Sequence, residues 1–282
     1  MLVHTIKELR DIRVEWKGLK VGLVPTMGAL HEGHLSLIKK AKETCDKVVV
    51  SVFVNPIQFG PSEDFDKYPR TLDKDMELCN SVGVDVVFAP TPSEMYGIGN
   101  RLSNDTLTYV CPPFFYVNKL CGKSITGHFD GVCTVVLKLF NIVQPDFGFF
   151  GQKDAQQVII IKKMVKDLNV PIEIIQCPIV REESGLALSS RNKYLSDDGK
   201  KEALVLSTIL NNIKKCYQKG ITDVSALKET AYSFLTDKHD MEYLEILDKN
   251  TLEEQEKANN ESIALIACRV EGVRLIDNIY LG

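Results

Sequence analysis

Between Lys20 and Val54 the chain lays down an apolar stretch, a Gly-bearing turn, a helical pattern and a Val-rich stretch, in that order. Two buried strands joined by a helix pair in parallel through a right-handed crossover. The apolar run Val21 to Val24 stops at Pro25, so Lys20–Val24 reads as a strand and Lys47–Val54 as its partner. Between them Met27-Gly28-Ala29-Leu30 leads into His31-Glu32-Gly33-His34, and Leu35–Thr44 reads as a helix. A strand, a tight turn and a helix N-terminus make a natural phosphate site: the backbone N–H groups there are unpaired and the helix dipole favours anions. Gly28 and Gly33 let the backbone approach a ligand closely. His31 and His34 are each able to donate a hydrogen bond to charge developing on a phosphoryl group. Nucleotide chemistry is the leading expectation.

The alternation continues to residue 177. Leu72–Val82 has a helical apolar face, Asp85–Phe88 is a short strand, and Gly131–Val143 is an apolar helix closed by Gln144-Pro145. Phe147–Phe150, Ala155–Leu168 and Glu173–Cys177 read as strand, helix and strand. The expected class is α/β, a Rossmann-like parallel sheet over residues 1–178. Ligands in such sheets sit at the carboxyl ends of strands, so the residues after Val24, Val54 and Phe150 should meet. A smaller α+β domain is expected over 179–282. It comprises helices at Lys200–Lys219 and Val224–Leu235, a strand at Glu242–Leu247, and a hairpin of Ser262–Val270 and Arg274–Tyr280 turning at Glu271-Gly272-Val273. Tyr96–Lys123 has little periodicity and reads as a loop, a lid or a contact between two copies.

The net charge of −4 argues against a nonspecific nucleic-acid binder, which needs a basic face. Met1 to Arg13 lacks the apolar core of a signal peptide, and no apolar run approaches the ~20 residues of a membrane helix. The eight cysteines are scattered, with no C-x-x-C pair and no histidine at ligand spacing. Buried reduced thiols in a cytoplasmic protein fit them better than disulfides or zinc.

Other clusters carry two readings each. His31 and His34 lack the spacing of an H-E-x-x-H zinc helix; after a buried strand they fit the H-x-G-H signature of nucleotidylyl transferases. Gly151-Gln152-Lys153-Asp154 is either a surface turn or, at a strand's carboxyl end, a phosphate site with Lys153 as ligand. Gln156 and Gln157 open the next helix, and one of them could bind a small polar substrate. Leu188-Ser189-Ser190-Arg191 is either a plain turn or a grip on the outer phosphates of a nucleotide. Asn55 and Gln58 follow the second strand, where ligand contacts are expected. Asp130 reads as an N-cap, His128 as a packing residue, and Asp73, Asp75 and Glu77 as a solvated helix face.

Taken in order, Pro25 to His34, Val52 to Phe59, Tyr68-Pro69-Arg70, Gly127 to Val132, Phe150 to Gln157 and Leu188 to Asn192 resemble the pantothenate synthetase (pantoate–β-alanine ligase) family of H-x-G-H nucleotidylyl transferases. The resemblance runs through Arg274-Leu275-Ile276-Asp277-Asn278 near the end. It implies a homodimer, Mg2+ carried with ATP, and a two-step reaction in which pantoate is adenylated and β-alanine then displaces AMP. By this resemblance His34 and His31 are catalytic with Lys153. ATP is held by Met27, Gly28, Ala29, Leu30, His31, Glu32, Gly33 and His34, by Gly151, Gln152, Lys153 and Asp154, by backbone at Val180, and by Leu188, Ser189, Ser190 and Arg191. Gln58 and Gln157 bind pantoate; metal ligands stay unassigned. Ile125-Thr126 stands where the family commonly has Arg-Pro, with Lys123 nearby as a substitute cation, and Gln152 replaces a frequent Glu or Lys. Two rivals remain: an H-x-G-H adenylyltransferase for another acceptor, and a nucleotide-binding regulator without catalysis.

Overall fold

The structure is a computed structural model that describes residues 1–60, 65–97 and 107–282. Strand β1 (Leu2–Val3) and helix α1 (Ile6–Glu15) open the chain, and β2 (Val21–Thr26), α2 (Glu32–Thr44) and β3 (Lys47–Val52) form the expected strand–helix–strand unit. Helix α3 (Leu72–Ser81) leads into β4 (Val86–Phe88), followed by the short helices α4 (Pro92–Tyr96), α5 (Phe114–Val117) and α6 (Leu120–Ser124). Helix α7 (His128–Val143), β5 (Phe147–Gly151), α8 (Ala155–Asp167) and β6 (Glu173–Cys177) follow. The six strands pair in parallel in the order β1-β4-β3-β2-β5-β6. From β2 the order runs outward both ways, so the carboxyl ends of β2 and β5 flank the point where a doubly wound sheet opens a crevice.

Near-continuous burial along β2 and β3 reflects a sheet covered on both faces. Val24, Val48 and Val50 join Leu35, Leu37, Ile38 and Ala41 of α2 in one core cluster. Their neighbours Leu23 and Val49, also fully buried, point to the other face because side chains alternate along a strand. Strand β2 runs two residues past the expected stop. Beyond Leu23 it pairs only with β3, and a one-sided stretch tolerates Pro25, which has no N–H to give.

The second half carries α9 (Asp197–Glu202), α10 (Leu204–Gln218) and α11 (Val224–Glu229), then β7 (Asp240–Asp248), β8 (Ser262–Val270) and β9 (Val273–Tyr280). These strands form an antiparallel sheet in the order β7-β8-β9. Ile209, Leu210 and Ile213 of α10 share a core with Ala264, Ile266 and Cys268 of β8. The hairpin turns at Glu271 and Gly272, both at positive φ (50° and 77°), the requirement of a tight two-residue turn.

The chain divides into two compact units, Met1–Gly151 with Ile160–Cys177, and Gln152–Ile159 with Pro178–Gly282. The sequence places residues 1–178 in one domain; by compactness Gln152–Ile159 groups with the second unit. One reason is local: the Asn278 side-chain amide donates to the carbonyls of Gln152 and Lys153 at 2.9 and 3.0 Å.

Three further differences are physical. The helix expected over Lys200–Lys219 is two helices meeting at Ala203, the first capped by Ser196, whose N–H and Oγ both reach Glu271. The helix expected over Val224–Leu235 ends at Thr230, whose hydroxyl donates to Leu227 O and so competes for a helical carbonyl. Part of the Tyr96–Lys123 segment, residues 98–106, lies outside the described residues. No helix among the described residues is long and apolar enough to cross a membrane.

Candidate active site

At the carboxyl end of β2 the loop leading to His31 and His34 is closed by hydrogen bonds of its own. Gly28 N–H donates to Thr26 Oγ1 at 3.1 Å, and Ala29 and Leu30 N–H donate to the Asp75 carboxylate at 3.0 and 2.8 Å. Asp75 is 1% exposed, which corrects its reading as a solvated residue; Asp73 and Glu77 on the same helix are exposed. Position 75 falls three residues after Leu72 and four before Cys79, on the apolar stripe of α3. That spacing was the available signal for its burial. A side chain at Gly28 would be strained by its φ of +81° and crowded, since a Cβ would sit 3.0 Å from both Asp75 Oδ2 and Val52 Cγ1.

The helix start is closed in the same way, so its amides do not all await a phosphate as the sequence suggested. Gly33 N–H donates to His31 Nδ1 at 3.2 Å, and His31 N–H donates to His34 Nδ1 at 3.3 Å. A neutral imidazole that accepts at Nδ1 carries its proton at Nε2. Both rings are thereby set as Nε2–H donors, and they lie close, with centroids 4.1 Å apart.

After β3, Asn55 organises the next group. It is 1% exposed. Its Nδ2 donates to Gln58 Oε1 (2.9 Å) and Gly131 O (3.1 Å), while its Oδ1 accepts the Tyr96 hydroxyl (2.6 Å). Burial pushes the Tyr96 phenol up, which keeps it a donor. With Oε1 taken, Gln58 presents its Nε2, which donates to Met27 Sδ at 3.3 Å. The Gln58 carbonyl accepts from His128 Nδ1 at 2.8 Å. His128 is therefore a support for Gln58 as well as a packing residue. Gly131 allows α7 to press on this turn, because a Cβ there would meet the Ile57 carbonyl and the Gln58 Cα. Asp130 is not the N-cap; that position is Gly127. Asp130 sits in the first turn, where burial raises its carboxyl against the opposing hydrogen bond from the Cys111 thiol. Lys123, for which the sequence suggests the role of a substitute cation, is exposed at the end of α6.

In the second unit Lys153, Asp154, Ser189, Arg191, Asn192 and Asp277 line one cavity. Gly151 ends β5, and Gln152–Asp154 form a single 3-10 turn after it. The Lys153 ammonium is 3.9 Å from the Asp154 carboxylate and partly shielded. Ser189 Oγ accepts from Arg191 N–H and caps the turn Ser190–Tyr194. Leu188 N–H donates to the Val180 carbonyl at 3.0 Å. Of the two glutamines opening α8, Gln156 is buried and Gln157 half-buried. Asn192 donates to Ala187 O, and its Oδ1 is buried with no partner among the described residues. No group of three metal-ligating side chains occurs among the described residues, and the Asp75 carboxylate is engaged with the Ala29 and Leu30 amides.

Comparison with known proteins covers nearly the whole chain. The sequence pattern of the pantoate-beta-alanine ligases matches residues 1–280. The pantothenate synthetase of Clostridium novyi (strain NT) is 51% identical over 280 residues, covering 98% of this chain and 96% of that protein. The crystal structure of pantothenate synthetase from Thermus thermophilus superposes with a TM-score of 0.93 at 40% identity, over 99% of each chain. That of the pantoate-beta-alanine ligase from Francisella tularensis, complexed with beta-gamma ATP and beta-alanine, gives 0.77 at 39%, over 100% of this chain and 97% of that one. The chain belongs to the pantoate–β-alanine ligase family.

Proposed function

We propose that this protein joins pantoate to β-alanine with ATP, through a pantoyl adenylate, yielding pantothenate, AMP and pyrophosphate. The observation that carries the reading is the pair His31 and His34, each set by its Nδ1 contact as an Nε2–H donor beside the end of β2.

In the first step a pantoate carboxylate oxygen forms a bond to the α-phosphorus of ATP, and the bond from that phosphorus to the β-phosphate oxygen breaks. No protein nucleophile is needed; the barrier falls through alignment and through donors aimed at the charge on the phosphoryl oxygens. His34 and His31 supply such donors. Lys153, Ser189, Ser190 and Arg191 neutralise and hold the departing pyrophosphate, while Gln58 and Gln157 orient pantoate. Gln58 suits that task because its donor end is fixed by Asn55. In the second step the neutral β-alanine nitrogen bonds to the acyl carbon, the acyl–phosphate bond breaks, and the nitrogen sheds a proton as AMP leaves. Mg2+ enters with the triphosphate as MgATP, in keeping with an ion that binds substrate phosphates and few carboxylates.

The same reading includes a homodimer in the cytoplasm. All eight cysteines are free thiols, which accords with a reducing compartment.

The test is pantoate-dependent release of pyrophosphate from MgATP, then AMP and pantothenate on adding β-alanine. AMP formed only with the amine supports the two-step ligase. ATP binding without pyrophosphate release would favour the non-catalytic regulator.

A further inference from the structure

Strand β9 carries Arg274-Leu275-Ile276-Asp277-Asn278, a motif whose last two residues are assigned no substrate contact. Both are buried, Asp277 at 3% and Asn278 at 1% exposure. Each is tied to a different segment of the second unit. Asp277 takes the Arg181 guanidinium as a two-pronged pair, Nη1 to Oδ2 at 2.7 Å and Nη2 to Oδ1 at 2.9 Å. The same Arg181 Nη1 also donates to Gly185 O at 3.1 Å. Arg181 bridges to Ala187 across the loop that delivers Leu188, Ser189 and Arg191. Asn278 Nδ2 donates to the carbonyls of Gln152 and Lys153, and its Oδ1 accepts from Gln152 Nε2 at 3.1 Å. Asp277 in turn accepts the Asn278 N–H at 2.8 Å.

We infer that Asp277 and Asn278 are positioning residues for ATP, one dipeptide clamping the Lys153 turn and the Ser189–Arg191 loop at a fixed separation. The inference rests on the ligase reading above. The two segments lie far apart in sequence, yet both line the cavity that Asp277 also lines. A paired guanidinium and carboxylate held in fork geometry resist rotation far better than a single contact. The side-chain amide of Asn278 uses both of its faces, so the backbone that carries Lys153 is fixed from two carbonyls. The Gln152 amide completes the clamp, which gives a reason for Gln at this position. Phosphate charge is best stabilised by groups already in place, because no reorganisation is then needed when ATP binds.

The experiment compares wild type with Asn278→Ala, Asn278→Leu and Arg181→Lys. Wild type is assayed first; absence of pantoate-dependent pyrophosphate release there overturns the ligase reading and is distinct from any result on the variants. With wild type active, Asn278→Ala and Asn278→Leu should each raise the KM for ATP about tenfold, the scale of losing one or two hydrogen bonds. The KM for pantoate should stay within about twofold, since Gln58 is untouched. Arg181→Lys keeps the charge but not the fork, and should shift the KM for ATP in the same direction with less effect on thermal unfolding. Unchanged KM for ATP in folded variants overturns the inference. Equal rises for ATP and pantoate do so as well, because a merely structural role predicts a common loss. If both Asn278 variants fail to fold, Arg181→Lys decides by the same comparison.

Discussion

Asp75 Oδ2 lies 3.0 Å from the amide nitrogen of Ala29, so a carboxylate on α3 holds the loop that follows β2. Its other oxygen takes the Leu30 amide and the Thr71 hydroxyl. Asp75→Asn keeps the shape but turns an N–H donor toward an N–H donor. It should cost about 1–3 kcal/mol of stability, the price of an unmatched buried polar group. Turnover should fall at least ~10-fold, because this loop leads directly into both histidines. Urea unfolding and pyrophosphate release measure the two effects; wild-type turnover in the folded variant would show that the loop keeps its shape without Asp75.

His34→Ala should leave the fold intact and lower turnover by at least the ~10²-fold typical of losing one transition-state donor. The His31 amide loses its acceptor at the same time, so some of the loss will come through His31. Circular dichroism checks the fold and single-turnover pyrophosphate release the chemistry. Near-normal turnover would remove His34 from the mechanism.

The strand–helix–strand unit and the end of β5 were readable because apolar period and turn chemistry are local signals. Asn55 and Gln58 were placed at a strand end by topology alone, but nothing local told that Asn55 accepts Tyr96 and so fixes which end of Gln58 is offered. Asp75 reads as solvated because a charged residue on a helix usually is, yet its spacing places it on the buried stripe. The roles of Asp277 and Asn278 depend on partners more than ninety positions away, which no windowed pattern contains. The break at Ala203 was hidden because alanine is the best helix former and the local sequence gives no stop signal.

Asp85 links the pH behaviour of the first unit to its packing. Burial by itself would raise this carboxyl, but the Val48 amide and the ammonium groups of Lys42 and Lys47 outweigh it and hold the group below its ordinary value. A carboxyl lowered in the folded state adds stability above its unfolded value of about 3.9, and that stability is lost as pH falls through the folded value. Asp85→Asn should therefore cost about 2 kcal/mol at neutral pH, with the gap to wild type narrowing below about pH 4. Urea titrations at neutral and acid pH measure it; a gap of constant size across that range would rule out the ionised form as the source.

The chain's return through Gln152–Ile159 before it re-enters the first unit at Ile160 bears on how such a protein can be taken apart or recombined. A fragment cut at Pro178 would carry the Ser189–Arg191 loop but leave the Lys153 turn behind with the other piece. Asn278 would then face water where the Gln152 and Lys153 carbonyls belong. The second unit is thus not a cassette that gene fusion could graft intact onto another sheet.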